Sequence, residues 1–504
     1  MGESSIMAEQ FQTTYEILTQ NARQYGNELA AASPDKSLTH GEVLERVDRM
    51  AAGLSEAGLN RGDRICVLAQ NSLEYLELYG ACAKTGMIAY PINWRLSAEE
   101  VGTVLELADP SCLLAGVEHV AQLEGLDLGT IDTKIVIGDT PVEGFRPLSE
   151  FYADASQPPA AVAPGDPFVI ISTAAVAGVP RGAILTHSNL FHANNQVIES
   201  IGLTPADRHL AALPLYHITG LGLSLATNAA GGANVVTPAF DPSLSAQMMD
   251  EHGVTLMADF PPVLEMLLQA RGEARWEKLR MVFGLDSPET IQKLQAETSA
   301  RFWTGFGQSE TSGAVTMGPA DERPGSAGKP LPLATIRLVD DFDKEVPIGQ
   351  PGEIVLQGPL VFAGYWRDPD ATDFAGRNDW HHTGDLGRFD DDGYLYYAGR
   401  KPEKELIKSG GENVYPAEVE RVILDLPEVA AVCVFGVPDE KYGETVKAVV
   451  ELNPGDELSA ESVQQAVADR IASFKKPRLI ELVETLPRTE SGEVDREQVK
   501  ASYG

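Results

Sequence analysis

The sequence predicts an α/β protein in two parts: a large region of layered helices and strands to about residue 400, and a small α+β region after Lys401. Three observations lead there. The chain has 504 residues, too many for one core. Helical and strand-like runs alternate from about residue 39 to 213, which argues for mostly parallel sheets covered by helices. After Lys401 the texture changes to short helices set among strand-like runs.

The first clear element opens at a capping box, Thr39 with Glu42 three residues on. Val43, Leu44, Val47, Met50, Ala51 and Leu54 follow at helical spacing, and Gly58 ends the helix. Residues 64–68 then read as a strand, 73–85 as a helix and 87–90 as a strand. The same alternation predicts a strand near 168–172, a helix near 189–201 and a strand near 208–213. Pro158, Pro159 and Pro164 mark a surface linker within the large region. Beyond Lys401, 417–424 and 459–473 read as helices, the second with a serine cap. Residues 430–435, 447–452 and 478–481 read as strands. No internal repeat or low-complexity segment is present.

The charge balance excludes some partners. With 39 basic and 74 acidic side chains the formal charge is −35, so nucleic acid and anionic membranes are poor partners. Cys66, Cys82, Cys112 and Cys433 sit in apolar runs without metal or disulfide spacing, and are expected to be buried reduced thiols. The start lacks a basic stretch followed by an apolar core, so a signal peptide is not expected; Met7 is an alternative start. No run of 18 apolar residues predicts a membrane span. These features fit a cytoplasmic enzyme.

Five motifs carry chemistry. ISTAAVAGVPRGAILTH (171–187) follows a predicted strand and precedes a helix expected to open at Ser188, where a phosphate-cradling loop would sit. Taken alone, it also reads as a plain turn. LPLYHITGLG (213–222) sets Tyr216 and His217 before small residues. WTGFGQSET (303–311) places an aromatic, glycines and a carboxylate together. Around the predicted junction lie WHHTGD (380–385), Gly399-Arg400-Lys401 and SGGENVYPAE (409–418). Glycine there permits close backbone approach, and the Asp385 carboxylate suits a ribose diol because it can accept two hydroxyl hydrogen bonds. PRTESGEVDR (487–496) is the fifth. Arg181, Arg400, Lys401, Lys404, Lys408, Lys475, Lys476 and Arg478 lie near these motifs against an acidic background, which suits polyanionic ligands.

In order and spacing the motifs resemble the adenylate-forming superfamily, which holds acyl-CoA synthetases, aryl-CoA ligases, luciferases and peptide-synthetase adenylation domains. The resemblance runs from about residue 10 to 500. It implies a large N-terminal domain (1–400) of α/β subdomains with the ATP and acyl pocket, and a mobile α+β domain (401–504) joined by a hinge. It also implies ATP, Mg2+ and coenzyme A as reactants with a small carboxylic acid, and allows a homodimer. Thr173, Gly178 and Arg181 would face the phosphates, and Gly284 would line adenine. Phe306 and Gly307 would stack against and approach the base, Ser309 would reach the α-phosphate and Glu310 would hold Mg2+. Asp385 with Arg400 would bind ribose, and Lys401 would be the pivot. Tyr216 and His217 would gate the acyl pocket, with Gly220 and Gly305 leaving it volume. Lys408, Gly410 and Gly411 would meet the pantetheine arm. Glu418 would be structural.

Two motifs depart from the family pattern. The middle of the phosphate loop is Ala174, Ala175, Val176 and Ala177, where the family has hydroxyls and glycine, and Arg181 replaces a lysine. Glu493 stands where the family's lysine bridges the carboxylate and the α-phosphate as an electrostatic stabiliser. A charge at about 4 Å contributes roughly 4 kcal/mol at an effective dielectric near 20, so its reversal matters. Lys476 and Arg496 are candidate stand-ins. The expected function is an ATP-dependent acid–CoA ligase working through acyl-AMP on an apolar fatty, alicyclic or aromatic acid. The alternatives are an enzyme chiefly of the thioester half-reaction or its reverse, a weakened acyl-CoA or AMP binder, and a plain interaction protein.

Overall fold

A computed structural model describes residues 12–138, 140–154, 158–173, 180–401, 405–439, 441–489 and 493–504. Gly178 and the apolar middle of the phosphate loop, and Lys404, lie outside them. Four sheets organise the described chain. A seven-stranded sheet runs in the order Arg146–Pro147, Thr133–Ile137, Cys112–Gly116, Arg64–Leu68, Ile88–Pro91, Pro167–Thr173, Arg181–Thr186. Its neighbours are parallel except the last pair. A nine-stranded sheet is parallel from Arg301–Gln308 across to Leu29–Ala32 and antiparallel at both edges. Parallel strands buried on both faces need apolar runs; Ile65, Cys66, Val67 and Leu68 are all fully buried.

The capping box forms as expected: the Thr39 side chain accepts from the Glu42 amide ahead of helix His40–Glu56. Helix Leu73–Thr85 ends at Gly86, whose φ is 72°. A core of Tyr75, Tyr79, Phe151 and Phe168 lies between these helices and the seven-stranded sheet. All four cysteines are free and buried.

Residues 335–400 form an antiparallel four-stranded sheet, Thr335–Val339, Gly352–Gln357, His381–Phe389 and Leu395–Arg400. One part of the fold differs from expectation. The phosphate-loop segment is not a strand-to-helix turn. Arg181–Thr186 is itself a strand that pairs back on Pro167–Thr173, with Thr173 opposite Arg181. Thr186, not Ser188, caps the helix, which spans His187–Ile201. The helix N-terminus at Thr186 lies a strand's length from Arg181, roughly 17 Å for five residues, so its dipole does not act at the Thr173–Arg181 pair.

The fourth sheet is built entirely from residues 407–483 and shares no strand with the others. Ile407, Val419, Ile423, Val434, Val450 and Val463 form its own buried core. An independent core is the physical mark of a separate domain, so the molecule has a large N-terminal domain and a small C-terminal one. Among the described residues no helix is long and apolar enough to cross a membrane.

Candidate active site

Asp385 and Arg400 sit opposite each other on neighbouring strands, where the register pairs them directly. The Arg400 Nε lies 2.8 Å from Asp385 Oδ1, and Asp385 is 1% exposed. The Tyr397 hydroxyl donates to Oδ1 at 3.1 Å, and Gln308 Nε2 donates to Oδ2. Burial lowers the Arg400 pKa, but the Asp385 carboxylate outweighs this and holds it above its ordinary value. The pair is fixed from behind by Glu353, which is 3% exposed. Glu353 accepts from the Gly384 amide at 3.0 Å and from His382 Nδ1 at 3.2 Å, and lies 2.9 Å from Lys401 Nζ. Burial raises its pKa; His382 and Lys401 together bring it down to about 2. Lys401 also meets Asp341 at 3.1 Å. One buried carboxylate thus ties the turn before Asp385 to the residue after Arg400.

Gln308 joins this anchor to the next group, since Ser309 and Glu310 follow it in a short 3-10 turn. Glu310 Oε1 accepts from the Tyr365 hydroxyl at 2.8 Å. The Arg181 guanidinium covers the Tyr365 ring at 5.4 Å and pairs with Asp368 at 3.0 Å. Carboxylate, phenol and guanidinium therefore meet at the base of the hairpin, with Thr173 opposite Arg181. Phe306 is half-buried on the same strand. A side chain on Gly307 would strike Gly313 O at 2.1 Å, and one on Gly284 would strike Asp259 O at 1.8 Å. Both glycines are demanded by backbone packing as well as by any ligand. No group of three or more metal-binding side chains occurs among the described residues. A single carboxylate with a free oxygen suits Mg2+, which takes few protein ligands and fills its shell with water and substrate phosphate.

On the acyl side, Tyr216 and His217 lie with ring centroids 4.6 Å apart. Both meet Glu412 of the small domain: the Tyr216 hydroxyl donates at 3.0 Å and His217 Nε2 lies 3.4 Å away. Arg95 reaches the same carboxylate at 2.8 Å and Asn93 donates to it at 2.9 Å. Burial raises the Glu412 pKa, but His217, Arg95 and Tyr216 outweigh it and hold it down at about 2. Gly220 does not open the pocket as expected. A Cβ there would meet Pro214 O at 2.3 Å, so its missing side chain admits the preceding turn. At Gly222 nothing lies within 4 Å of an added Cβ. At Gly305 a Cβ would meet Thr316 O at 2.5 Å and Phe283 at 2.9 Å.

Gly410 and Gly411 form a two-residue hairpin turn between Ile407–Ser409 and Glu412–Val414. Their φ values are 60° and 83°, the left-handed pair that such turns require. The tip rests on the large domain, beside Pro261 and Phe260. Lys408 lies 5.9 Å from the Tyr397 ring. Tyr415 lies within electrostatic reach of Arg400, Glu310 and Asp385, so the small domain covers the site. Three expected cations are committed elsewhere. Lys475 is buried between Glu100 at 2.6 Å and Glu418 at 2.8 Å, so it is not part of an open polyanion field. Arg496 is held by Glu405 and Glu420 at 2.9 and 2.5 Å, so it is no stand-in for the missing lysine. Arg478 lies over the Tyr442 ring at 4.0 Å. Glu493 is exposed; its carbonyl accepts from Thr489 at 2.8 Å. Its side chain makes no hydrogen bond or ion pair with Asp385, Arg400, Ser309 or Glu310 among the described residues.

Sequence reasoning missed Arg95, Asn93, Gln308, Glu353, Tyr365 and Glu412 as site residues. Glu412 stood inside a motif already singled out, but its glycines drew the weight. Gln308 likewise stood inside WTGFGQSET, and the others act through contacts distant in sequence, which no local pattern marks.

Known proteins point the same way. The model of the AMP-binding enzyme family matches residues 18–366, and that of the AMP-binding enzyme C-terminal domain matches 418–493. An indoleacetate–CoA ligase of Aromatoleum aromaticum is 34% identical over 481 residues, 93% of each chain. A solved putative long-chain-fatty-acid CoA ligase of Rhodopseudomonas palustris is 43% identical, with TM-score 0.74, over 77% of this chain and 99% of that one. The o-succinylbenzoate CoA synthetase of Bacillus subtilis covers 97% of this chain and 98% of its own in two states. A double mutant bound to a product analogue superposes with TM-score 0.86 at 28% identity, and the AMP complex with 0.69 at 27%. The chain belongs to the AMP-binding enzyme family, within the adenylate-forming superfamily, and is an AMP-forming acid–thiol ligase that uses ATP, Mg2+ and coenzyme A.

Proposed function

We propose that this enzyme joins an apolar carboxylic acid, aryl or aliphatic, to coenzyme A through acyl-AMP, and that the arrangement described here belongs to the CoA step. The carrying observation is the docking of the Gly410-Gly411 hairpin and Glu412 against the acyl gate, while Glu493 faces solvent. The higher TM-score against the product-analogue complex than against the AMP complex supports the same assignment.

In this reading the two domains divide near residue 400. Asp385 accepts the ribose hydroxyls, steadied by Arg400, Gln308 and Tyr397. Phe306 stacks on adenine beside Gly284 and Gly307, and Ser309 reaches the α-phosphate. Arg181 and Thr173 face the outer phosphates. Glu310 would hold Mg2+, which would supply positive charge to offset that of the departing pyrophosphate. The acid's carboxylate oxygen attacks the α-phosphorus, and the bond to pyrophosphate breaks. The small domain then turns about Lys401, whose ion pairs with Glu353 and Asp341 hold it in the present arrangement. The CoA thiolate, guided past Lys408, Gly410 and Gly411, attacks the acyl carbon and AMP leaves. Separate arrangements let one cleft serve two reactions with different polar groups. Binding of Glu412 draws Tyr216, His217 and Arg95 together and fixes the acyl gate. Gly222 borders the acyl space.

The reading is tested with indoleacetate, cinnamate, benzoate, octanoate and palmitate. Acid-dependent pyrophosphate exchange and CoA-dependent AMP release are measured separately. Both should appear with at least one apolar acid. Neither appearing with any member refutes the proposal; CoA-dependent consumption of acyl-AMP without exchange identifies a thioester-half enzyme.

A further inference from the structure

Among the described residues, one short stretch of the large domain carries most of the polar contact with the small one. Asn93 and Arg95 meet Glu412 at 2.9 and 2.8 Å. Two residues on, the Ser97 hydroxyl donates to Arg470 O at 3.2 Å. Glu100, in the first turn of helix Ala98–Ala108, uses both oxygens: Oε2 accepts from the Ala472 amide at 2.9 Å, and Oε1 accepts from Lys475 Nζ at 2.6 Å. Lys475 is 6% exposed.

We propose that residues 93–100 are the docking strip for the CoA step, with Glu100 and Lys475 as its positioning pair. The inference rests on the functional reading above. Lys475 has a second partner, Glu418, 2.8 Å away in its own domain. When the small domain turns, Lys475 keeps Glu418 and gains water, so no charge is stranded. The contacts of Glu100 with Lys475 and Ala472 exist only in the docked arrangement. A contact present in one state and absent in the other biases the equilibrium by its differential free energy. A buried pair broken on one side is costly, and this one is backed by a second hydrogen bond to the Ala472 backbone. Glu100 also accepts from the Ser97 amide at 2.8 Å and so caps its own helix. Glutamine can keep that cap while losing the charge.

The test compares wild type with Glu100→Gln, Lys475→Met and the double variant, using the acyl-AMP of the preferred acid in the panel above. Glu100→Gln should slow CoA-dependent consumption of supplied acyl-AMP by about 5- to 20-fold, with the KM for CoA unchanged. Pyrophosphate exchange should stay within about twofold. The double variant should be no slower than the worse single one, since both remove one interaction. A purely structural role for Glu100 would lower both half-reactions together; that result, or an unchanged CoA step, overturns the docking role. If wild type itself consumes no acyl-AMP with CoA, the functional reading fails and the docking role with it.

Discussion

Replacing Glu412 with glutamine isolates the contact that closes the small domain over the acyl gate. The carboxylate is 7% exposed and faces four groups of the large domain: Asn93, Arg95, Tyr216 and His217. Its pKa falls from 4.5 to about 2 even though burial raises it, because His217, Arg95 and Tyr216 outweigh the burial. At 1.36 kcal/mol per unit, such a shift corresponds to roughly 3 kcal/mol of preference for the docked, charged state. The sign follows from the lowered pKa. The contribution is complete above the undocked carboxylate's value and is lost only as pH falls from there towards about 2. The wild-type CoA step should therefore show no acid limb from this group above about pH 5. Glutamine keeps the shape and one acceptor but removes the charge. Glu412→Gln should slow the CoA step by about 10- to 100-fold at pH 7 and leave pyrophosphate exchange within about threefold. Quenched-flow assay of acyl-AMP plus CoA, beside isotope exchange, reads the two separately. Equal losses in both would show that Glu412 supports the fold rather than the CoA step, and no loss in either would refute the reasoning.

Other outcomes follow from the same geometry. Glu493→Lys should accelerate pyrophosphate exchange by tenfold or more, on the order of what one restored charge contributes, with the CoA step unchanged; an unchanged exchange rate would remove position 493 from the adenylation site. Asp259 and Asp286 face each other, each with a buried oxygen that receives no ordinary donor. Burial first, then the opposing carboxyl, pushes the Asp259 pKa well up, so the folded protein holds a proton that the unfolded chain releases. Stability should fall as pH rises above the ordinary carboxyl range, near 4. Asp286→Asn should raise Tm at pH 7.5 by about 1–3 °C and flatten that slope; a lower Tm would contradict the shared-proton account.

Much of the frame was legible in the sequence because it is local. The capping box at Thr39, the helix after Ser72 and the serine cap at Ser459 are short-range patterns, and each forms. Asp385 and Arg400 were legible as motif members, and strand register then brings them face to face. Non-local geometry was not. Arg181–Thr186 contains no marker that separates a returning strand from an extended loop, so the hairpin was read as a turn into a helix. Gly220 and Gly222 look alike in sequence, but only one has the Pro214 carbonyl pressed against it. Glu412 needed its partners at Asn93 and Tyr216, far off in the chain, and those appear only when two domains are docked. Lys475 was counted as a cation for polyanions, and Arg496 as a stand-in for the missing lysine, because a sequence does not show which acids already hold them.

The account depends most on AMP being anchored by Asp385. The direct measurement is calorimetric titration of a 5′-O-sulfamoyl acyl-adenosine, an unreactive acyl-AMP mimic, into wild type and Asp385→Ala. Wild type should bind it, and the variant should lose about 100-fold or more in affinity, the effect of removing a carboxylate that accepts two hydrogen bonds. Equal affinity for both proteins would contradict the account.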